Sequence, residues 1–355
     1  KYGDRVAFIK TKDSFFMDKR ISIRKFHERV FIKVLKLLRV KAVLSPGIHY
    51  ITDADLAKVC VEKKIPYVVF HKECLLITEK QREIAYDFIS KILDYKASII
   101  FCFNEATRNI LLKCKNLEIG KVFAAPPTRL DYMNKKFEET KNKEKKKIIF
   151  FSFTPNHAVP GPMNIVDTKS DYNFDFKFKK IFFHSHLEFF KLAEKHPEEE
   201  FILKVKGRLK KFDPIKELEK KFNKPLPNNI EIFYEDTNSY DLMVKAKIVI
   251  GFNSTAVMES GLLNIPVIVP NYYEAADEFK NLTLVKNFRE EFDIVDDPNN
   301  FLNTISNYIK DKKKYILSEE IKKKRIKIFE EYLTSREVNY LNDYEKHINT
   351  LISQE

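Results

Sequence analysis

Short continuous apolar runs alternate along the chain with longer segments in which apolar residues recur every three or four positions. In the first third the runs lie at 5–10 (RVAFIK), 41–45 (KAVLS), 66–70 (PYVVF), 97–103 (ASIIFCF) and 121–125 (KVFAA). Their length and their Val, Ile and Phe content predict strands. Between them, residues 21–39, 53–63, 78–95 and 104–115 carry helical spacing, and the last three open on N-cap types, Asp53, Thr78 and Asn104. Strands that are apolar on both faces and alternate with helices predict a parallel sheet covered on both sides.

Pro126 and Pro127 interrupt the pattern, and 134–147 (NKKFEETKNKEKKK) has the composition of a charged linker. The alternation then restarts. Strands are predicted at 148–153, 201–205, 230–234, 247–251 and 265–269, and helices at 181–195, 213–222, 239–246 and 255–263, with a long polar loop at 154–180. Residues 299–355 have helical spacing throughout. The expected organisation is an N-terminal Rossmann-like domain at 1–133, a linker at 134–147, a second Rossmann-like domain at 148–315 and C-terminal helices at 316–355. Two doubly wound domains in series bind ligand at the carboxyl ends of their strands, so the expected site is a cleft that the two domains face.

Composition narrows the function classes. At 355 residues the length fits about two domains, and 44% hydrophobic content with 31 Phe and 16 Tyr is ample for packed cores. The net charge of +13 comes largely from lysine runs at 141–147, 312–314 and 322–327, which read as solvated faces. The Phe residues lie in strand and helix positions rather than interleaved with Arg, which argues against a stacking platform for nucleic acid. With 7 glycines and no G-x-G-x-x-G after any predicted strand, a dinucleotide oxidoreductase is disfavoured. Cys60, Cys74, Cys102 and Cys114 form no C-x-x-C pair and have no His at metal-ligand spacing, so a reducing compartment is expected and structural zinc is not. No apolar run approaches the length of a membrane span and no signal peptide is visible; the chain starts at Lys1 without Met, so a targeting segment stays open.

The segment with most chemical content is 248–272, IVIGFNSTAVMESGLLNIPVIVPNY. A loop that leaves a parallel strand and opens a helix presents unpaired N–H groups and the positive end of the helix dipole to an anion. Asn253, Ser254 and Thr255 add small polar groups at that spot, and Glu259 follows one turn later. The plain alternative is an ordinary N-cap followed by an acid that the dipole favours.

The stretch SYDLMVKAKIVIGFNSTAVMESGLLNIPVIVPNY resembles the nucleotide-binding half of glycosyltransferases of the GT-B fold, in particular bacterial enzymes that build capsule and lipopolysaccharide from CMP-linked or UDP-linked sugars. The pattern covers about 146–275, and the N-terminal half matches by architecture. The resemblance implies that Ser254 and Thr255 hold the donor phosphate and Glu259 the ribose, with Asn253 beside them as a further donor-site candidate. Further donor contacts are expected at Lys204 and Lys206, near a strand end with Arg208, where the plain alternative is a solvated basic turn, and in the loop after 148–153 at Thr154, Asn156 and His157. Family members often follow this lysine with a His-Pro pair, which is absent here, so the subfamily stays open. The N-terminal domain would bind the acceptor. At its strand ends His71, Glu73 and Asp53 are candidate general bases and His49 an acceptor contact, with Arg129 in the inter-domain hinge. His184 and His186 are i, i+2 on a helix and point to different faces, which is poor for a shared metal. A C-terminal helix would cross back onto the N-terminal domain.

The resulting expectation is a cytoplasmic glycosyltransferase with no cofactor and no essential metal, using a nucleotide-sugar donor and a glycan or lipid-linked acceptor, with peripheral contact to the inner membrane. A sugar-nucleotide 2-epimerase and a polyol-phosphate transferase share the fold and stay open. So does a basic non-enzymatic module for nucleic acid or anionic lipid.

Overall fold

The computed structural model describes residues 14–48, 51–72, 75–90, 95–140, 142–153, 155, 178–205, 214–234, 237–277, 280–281, 283, 287–311, 316–333 and 340–353. The described residues divide into two compact units, the first reaching Asp131 and joined by Glu330 onward, the second running from Tyr132 to Phe329. The strand predicted at 5–10 lies outside the described residues, as do His49, Glu73, Thr154, Asn156, His157, Lys206 and Arg208 among the candidate site residues.

The first unit holds a parallel sheet of β1 (Val43–Ser45), β2 (Tyr67–Phe70), β3 (Tyr95–Cys102) and β4 (Leu117–Ala124) in that order. Val43 pairs with Tyr67, Val68 with Ile99 and Ile99 with Lys121. The central pair is buried almost throughout, which is why both strands read as unbroken apolar runs. The N-terminal helix is longer than its periodicity suggested. It runs as α1 (Ser14–Phe26), a π turn (His27–Phe31) and α2 (Ile32–Leu37). Helices α3 (Ile51–Glu62), α4 (Glu79–Ile89) and α5 (Glu105–Lys113) follow, and α6 (Arg129–Thr140) spans the division after Asp131. Thr78 and Gln81 form a capping box for α4: Gln81 N donates to Thr78 Oγ1 at 3.2 Å and Thr78 N to Gln81 Oε1 at 3.0 Å. Residues 134–140, expected as linker, are helical. Leu130 and Met133 are buried on one side of α6, and its charged remainder had masked that face.

The C-terminal helix, here α13 (Tyr340–Ser353), packs on β2, β3 and β4. Tyr340 and Tyr344 join Val68, Ile99 and Phe101 in one core. The Tyr344 ring meets Phe101 edge-on at 4.5 Å, an arrangement worth about 1 kcal/mol beyond its buried area. Its hydroxyl donates to the Pro126 carbonyl, and His347 stacks on Phe123 at 4.0 Å.

The second unit is a six-stranded parallel sheet. In chain order its elements are β5 (Lys147–Phe151), α7 (Lys179–Lys195), β6 (Glu200–Lys204), α8 (Pro214–Phe222), β7 (Ile230–Phe233), α9 (Ser239–Met243), β8 (Ala246–Gly251), α10 (Thr255–Leu262), β9 (Val267–Pro270), β10 (Asp293–Val295), α11 (Phe301–Lys310) and α12 (Glu319–Tyr332). The spatial order is β10-β9-β8-β5-β6-β7. The chain therefore builds outward from β5 through β6 to β7, then returns to the other side of β5 with β8. β10 had no counterpart in the sequence reading. Its three residues include Asp293, and it pairs at the edge of the sheet beyond β9.

A buried arginine ties α12 to this unit. Arg325 donates from Nε to Glu291 O at 2.8 Å and from Nη1 to Ile265 O at 2.7 Å, and lies over the Phe292 ring. Burial pushes its guanidinium down to about 10.

Candidate functional site

The reversal of strand order between β5 and β8 is the topological switch point of the second sheet, the place where open α/β sheets bind ligand outside the carboxyl ends of their strands. The segment leaving β8 there is Phe252, Asn253 and Ser254. Gly251 ends the strand, and a Cβ on it would come within 2.7 Å of Val257 Cγ2, so the close approach of strand and helix requires glycine. Asn253 takes a left-handed backbone, φ 44°, which Asn tolerates better than other non-glycine residues. That is how a glycine-poor chain makes this turn.

Ser254 is the N-cap of α10 by backbone conformation, φ −131° and ψ 156°. Its side chain nevertheless accepts no N–H of the first turn. The hydroxyl oxygen is buried and has no hydrogen-bond partner. The first turn of α10 carries no acidic side chain either, so the positive end of the dipole is not offset locally. Glu259 lies one turn further and is only 3% exposed.

The exit of β5, on the other side of the switch, is braced from within. Ser152 N donates to Lys204 O at 2.9 Å, and Ser152 Oγ lies 2.8 Å from His186 Nε2. His186 Nδ1 is 2.7 Å from the Phe182 carbonyl, so Nδ1 carries the hydrogen and Nε2 accepts from the serine. The ring packs among Phe150, Phe153 and Phe182, and burial pushes its pKa down to about 3. Although Ser and His adjoin here, the imidazole is wholly enclosed, so this is a structural brace that fixes the β5 exit. His184 points elsewhere, to the Tyr272 hydroxyl at 3.2 Å. Among the described residues no cluster of His, Cys, Asp and Glu has the makings of a metal site.

Lys204 ends β6, is buried, and donates from Nζ to the Tyr234 carbonyl just past β7. At the end of β9, Asn271 Nδ2 donates to Asp296 Oδ1 at 2.6 Å, and Asp296 is held by a forked pair from Arg289. That arginine lowers the Asp296 pKa. Sequence reasoning missed this chain of three, because nothing local links positions 271, 289 and 296. Glu274 was missed for the same reason: it accepts from Lys180 N at 2.8 Å and Ile181 N at 3.1 Å and so caps α7 from 94 residues away.

In the first unit the structure places Asp53 and His71 at the carboxyl edge of the sheet. His71 follows β2, is buried, and donates its backbone N–H to Phe101 O at 2.8 Å. Helix α3 begins at Ile51, so Asp53 stands inside the first turn rather than at the N-cap. Its Oδ2 accepts from Ser45 Oγ at 3.1 Å, at the end of β1. Arg129 opens α6 with its guanidinium 5.2 Å from the centre of the Phe103 ring, just past β3.

A cavity of about 430 Å³, bordered by Lys146, Glu199, Glu200, Lys247 and Pro266, lies at the opposite, amino-terminal edge of the second sheet. Its charges pair with one another and their neighbours, Lys247 with Glu199, Lys146 with Glu144 and Glu200 with Lys147. A recess whose ions are already matched, at the wrong end of parallel strands, has no call on a ligand.

No protein-family model matches the sequence, and no curated protein does. Solved structures do. One described as the UDP-N-acetylglucosamine 2-epimerase of Listeria monocytogenes aligns over 98% of this chain and 82% of its own, with a TM-score of 0.51 at 12% identity. The UDP-GlcNAc 2-epimerase of Neisseria meningitidis bound to UDP-GlcNAc aligns over 97% and 84%, with a TM-score of 0.49 at 14% identity. The wall teichoic acid polymerase TagF with CDPG aligns over 88% and 73%, with a TM-score of 0.48 at 11% identity. At such identities the likeness is one of fold: this is an α/β chain with two Rossmann-like parallel sheets, the GT-B architecture.

Proposed function

We propose that this protein is a nucleotide-sugar-using enzyme of the GT-B fold that transfers the sugar to a glycan or lipid-linked acceptor. The observation that carries the reading is the β8–α10 junction, where a helix start without a side-chain cap, a buried hydroxyl that bonds to nothing and a carboxylate one turn on coincide with the switch point of the sheet. Ser254, Thr255 and the first N–H groups of α10 bind the donor phosphate, and Glu259 accepts from the ribose hydroxyls.

In the transfer, the acceptor oxygen attacks the anomeric carbon as the bond from that carbon to the phosphate oxygen breaks. The leaving phosphate takes up negative charge, which the start of α10 is oriented to stabilise. A base at the carboxyl edge of the first sheet takes the acceptor proton; His71, Asp53 and Glu73 are the candidates. Lys206, Thr154 and Asn156 are further donor contacts under this reading, and His49 and Arg129 acceptor-side ones. The fold likeness to the Listeria structure supports a second reading, a sugar-nucleotide 2-epimerase built on the same donor site.

The test is a thermal-shift panel with CMP, CDP, UMP, UDP, GDP, ADP and NAD, with and without magnesium. One pyrimidine nucleotide should stabilise the protein, by about 2.7 kcal/mol at a hundredfold excess over Kd. Glu259→Ala should lose between about half and nearly all of the shift, from a drop in affinity of roughly 10- to 100-fold for removal of hydrogen bonds to a charged group. An unchanged shift in that variant would overturn the assignment. Transfer and epimerisation then separate by product: free nucleotide plus glycoside in one case, a nucleotide sugar with altered ring stereochemistry in the other.

A further inference from the structure

The N-terminal helix has two unlike faces. Its inner face is anchored: Arg20 and Arg24 both bind Asp55 of α3, at 3.0 and 2.7 Å, in an ion cluster almost wholly out of water, and Ile32 and Leu35 are buried. Its outer face is apolar. Phe26, Val30, Val34 and Leu38 follow one another at intervals of four, with Leu37 beside them, and they are 42% to 82% exposed. The π turn, in which Ile32 N bonds to His27 O, inserts an extra residue between Phe26 and Val34 and so helps to bring the two halves into line on one face. Single exposed apolar residues are ordinary on a protein surface, but five on one side of one helix are not.

The same helix and its exit are strongly basic. Lys19, Lys25, Arg29, Lys33, Lys36 and Arg39 are exposed. Against them stand Asp18 and Glu28, and Glu28 is engaged by Lys63 at 3.3 Å. A second copy docking through this face by two-fold symmetry would bring these cations against their own counterparts, which is repulsive. An apolar stripe flanked by lysine and arginine is instead suited to the boundary between lipid headgroups and acyl chains, where the side chains insert and the cations meet anionic headgroups.

We infer that residues 19–39 form a membrane-docking face that seats the first unit on an anionic phospholipid bilayer. No described helix is long and apolar enough to cross a membrane; the docking inferred is interfacial, with the apolar stripe seated at the headgroup boundary. The docking face shares no residue with the donor site and stands or falls apart from it.

Co-sedimentation of the full chain with vesicles tests the inference. The protein should pellet with phosphatidylcholine vesicles containing phosphatidylglycerol and not with phosphatidylcholine alone, and salt should weaken the binding. Lys33→Gln and Lys36→Gln should each lower partition about fivefold, the effect of one cation near an anionic surface. Leu37→Ser/Leu38→Ser should lower it at least as much. These side chains are exposed, so the variants should keep the parent melting temperature and nucleotide-induced shift. Failure to bind anionic vesicles, or equal binding to neutral ones, would overturn the inference. So would a dimer in sedimentation equilibrium that Leu37→Ser/Leu38→Ser dissociates, because the face would then belong to a second copy.

Discussion

Two strand-to-helix junctions in this molecule begin alike and end differently. After β3, Asn104 caps α5: its Oδ1 accepts from Thr107 N at 2.9 Å, and its amide donates to the Tyr332 carbonyl at 3.2 Å. After β8, Ser254 occupies the same position before α10, yet its hydroxyl bonds to nothing. The first junction uses a polar side chain to close the fold upon itself. The second leaves a donor and a helix start uncommitted. A cap type in the sequence thus says where a helix begins; only the partners of that side chain say whether the junction is finished or awaits a ligand.

Three outcomes would break or sharpen this contrast, beginning with the largest. The second junction adjoins the β5 exit through the Phe151–Gly251 pairing, and the Ser152–His186 brace of that exit has its imidazole pKa moved from 6.5 to about 3 by burial. The unfolded chain therefore takes up a proton below pH 6.5 that the folded one refuses. The stability held by the neutral ring is intact above that pH and falls on acidification toward pH 3, by as much as about 1.4 kcal/mol per pH unit. Urea unfolding across pH 4 to 7 should show a shallower slope in His186→Gln than in the parent chain, and equal slopes would mean the ring is not the enclosed brace described.

Next, Asn104→Ala should cost about 1–2 kcal/mol for a lost cap and a lost bond to Tyr332, with nucleotide affinity unchanged. Smallest in stability is Ser254→Ala. It should leave the melting temperature within about 1 °C, since less than ~0.5 kcal/mol is at stake where no bond is made, while weakening phosphate-bearing ligands several-fold. If Ser254→Ala destabilised the protein as much as Asn104→Ala, the two junctions would be equivalent and the contrast would fall.

Most of the fold could be read from the chain because buried parallel strands have no polar face to disguise them. β1 to β9 each contain or overlap an apolar run seen at 41–45 through 265–269. β10 escaped because a three-residue edge strand leaves too short a run to register. Helix α6 escaped because Leu130 and Met133 are outweighed by charged neighbours, although their spacing and that of Phe137 was a readable signal. The strand end and helix start that carry the candidates at 253–255 and 259 were legible because both are local events. Lys204 was legible as a strand-end residue, but its bond to the Tyr234 carbonyl was not. The His186 brace, the Glu274 cap and the Asn271–Asp296–Arg289 chain were beyond reach, since each joins residues whose meeting is decided by tertiary packing.

The placement of α13 also has a consequence for how the protein is made. Val68, Ile99 and Phe101 leave the ribosome long before Tyr340 and Tyr344, the residues that cover them. At ordinary elongation rates the interval is on the order of ten seconds or more. Throughout that time the nascent first sheet carries a bare apolar face, a natural substrate for holdase chaperones and a weak point for any chain cut short before α13.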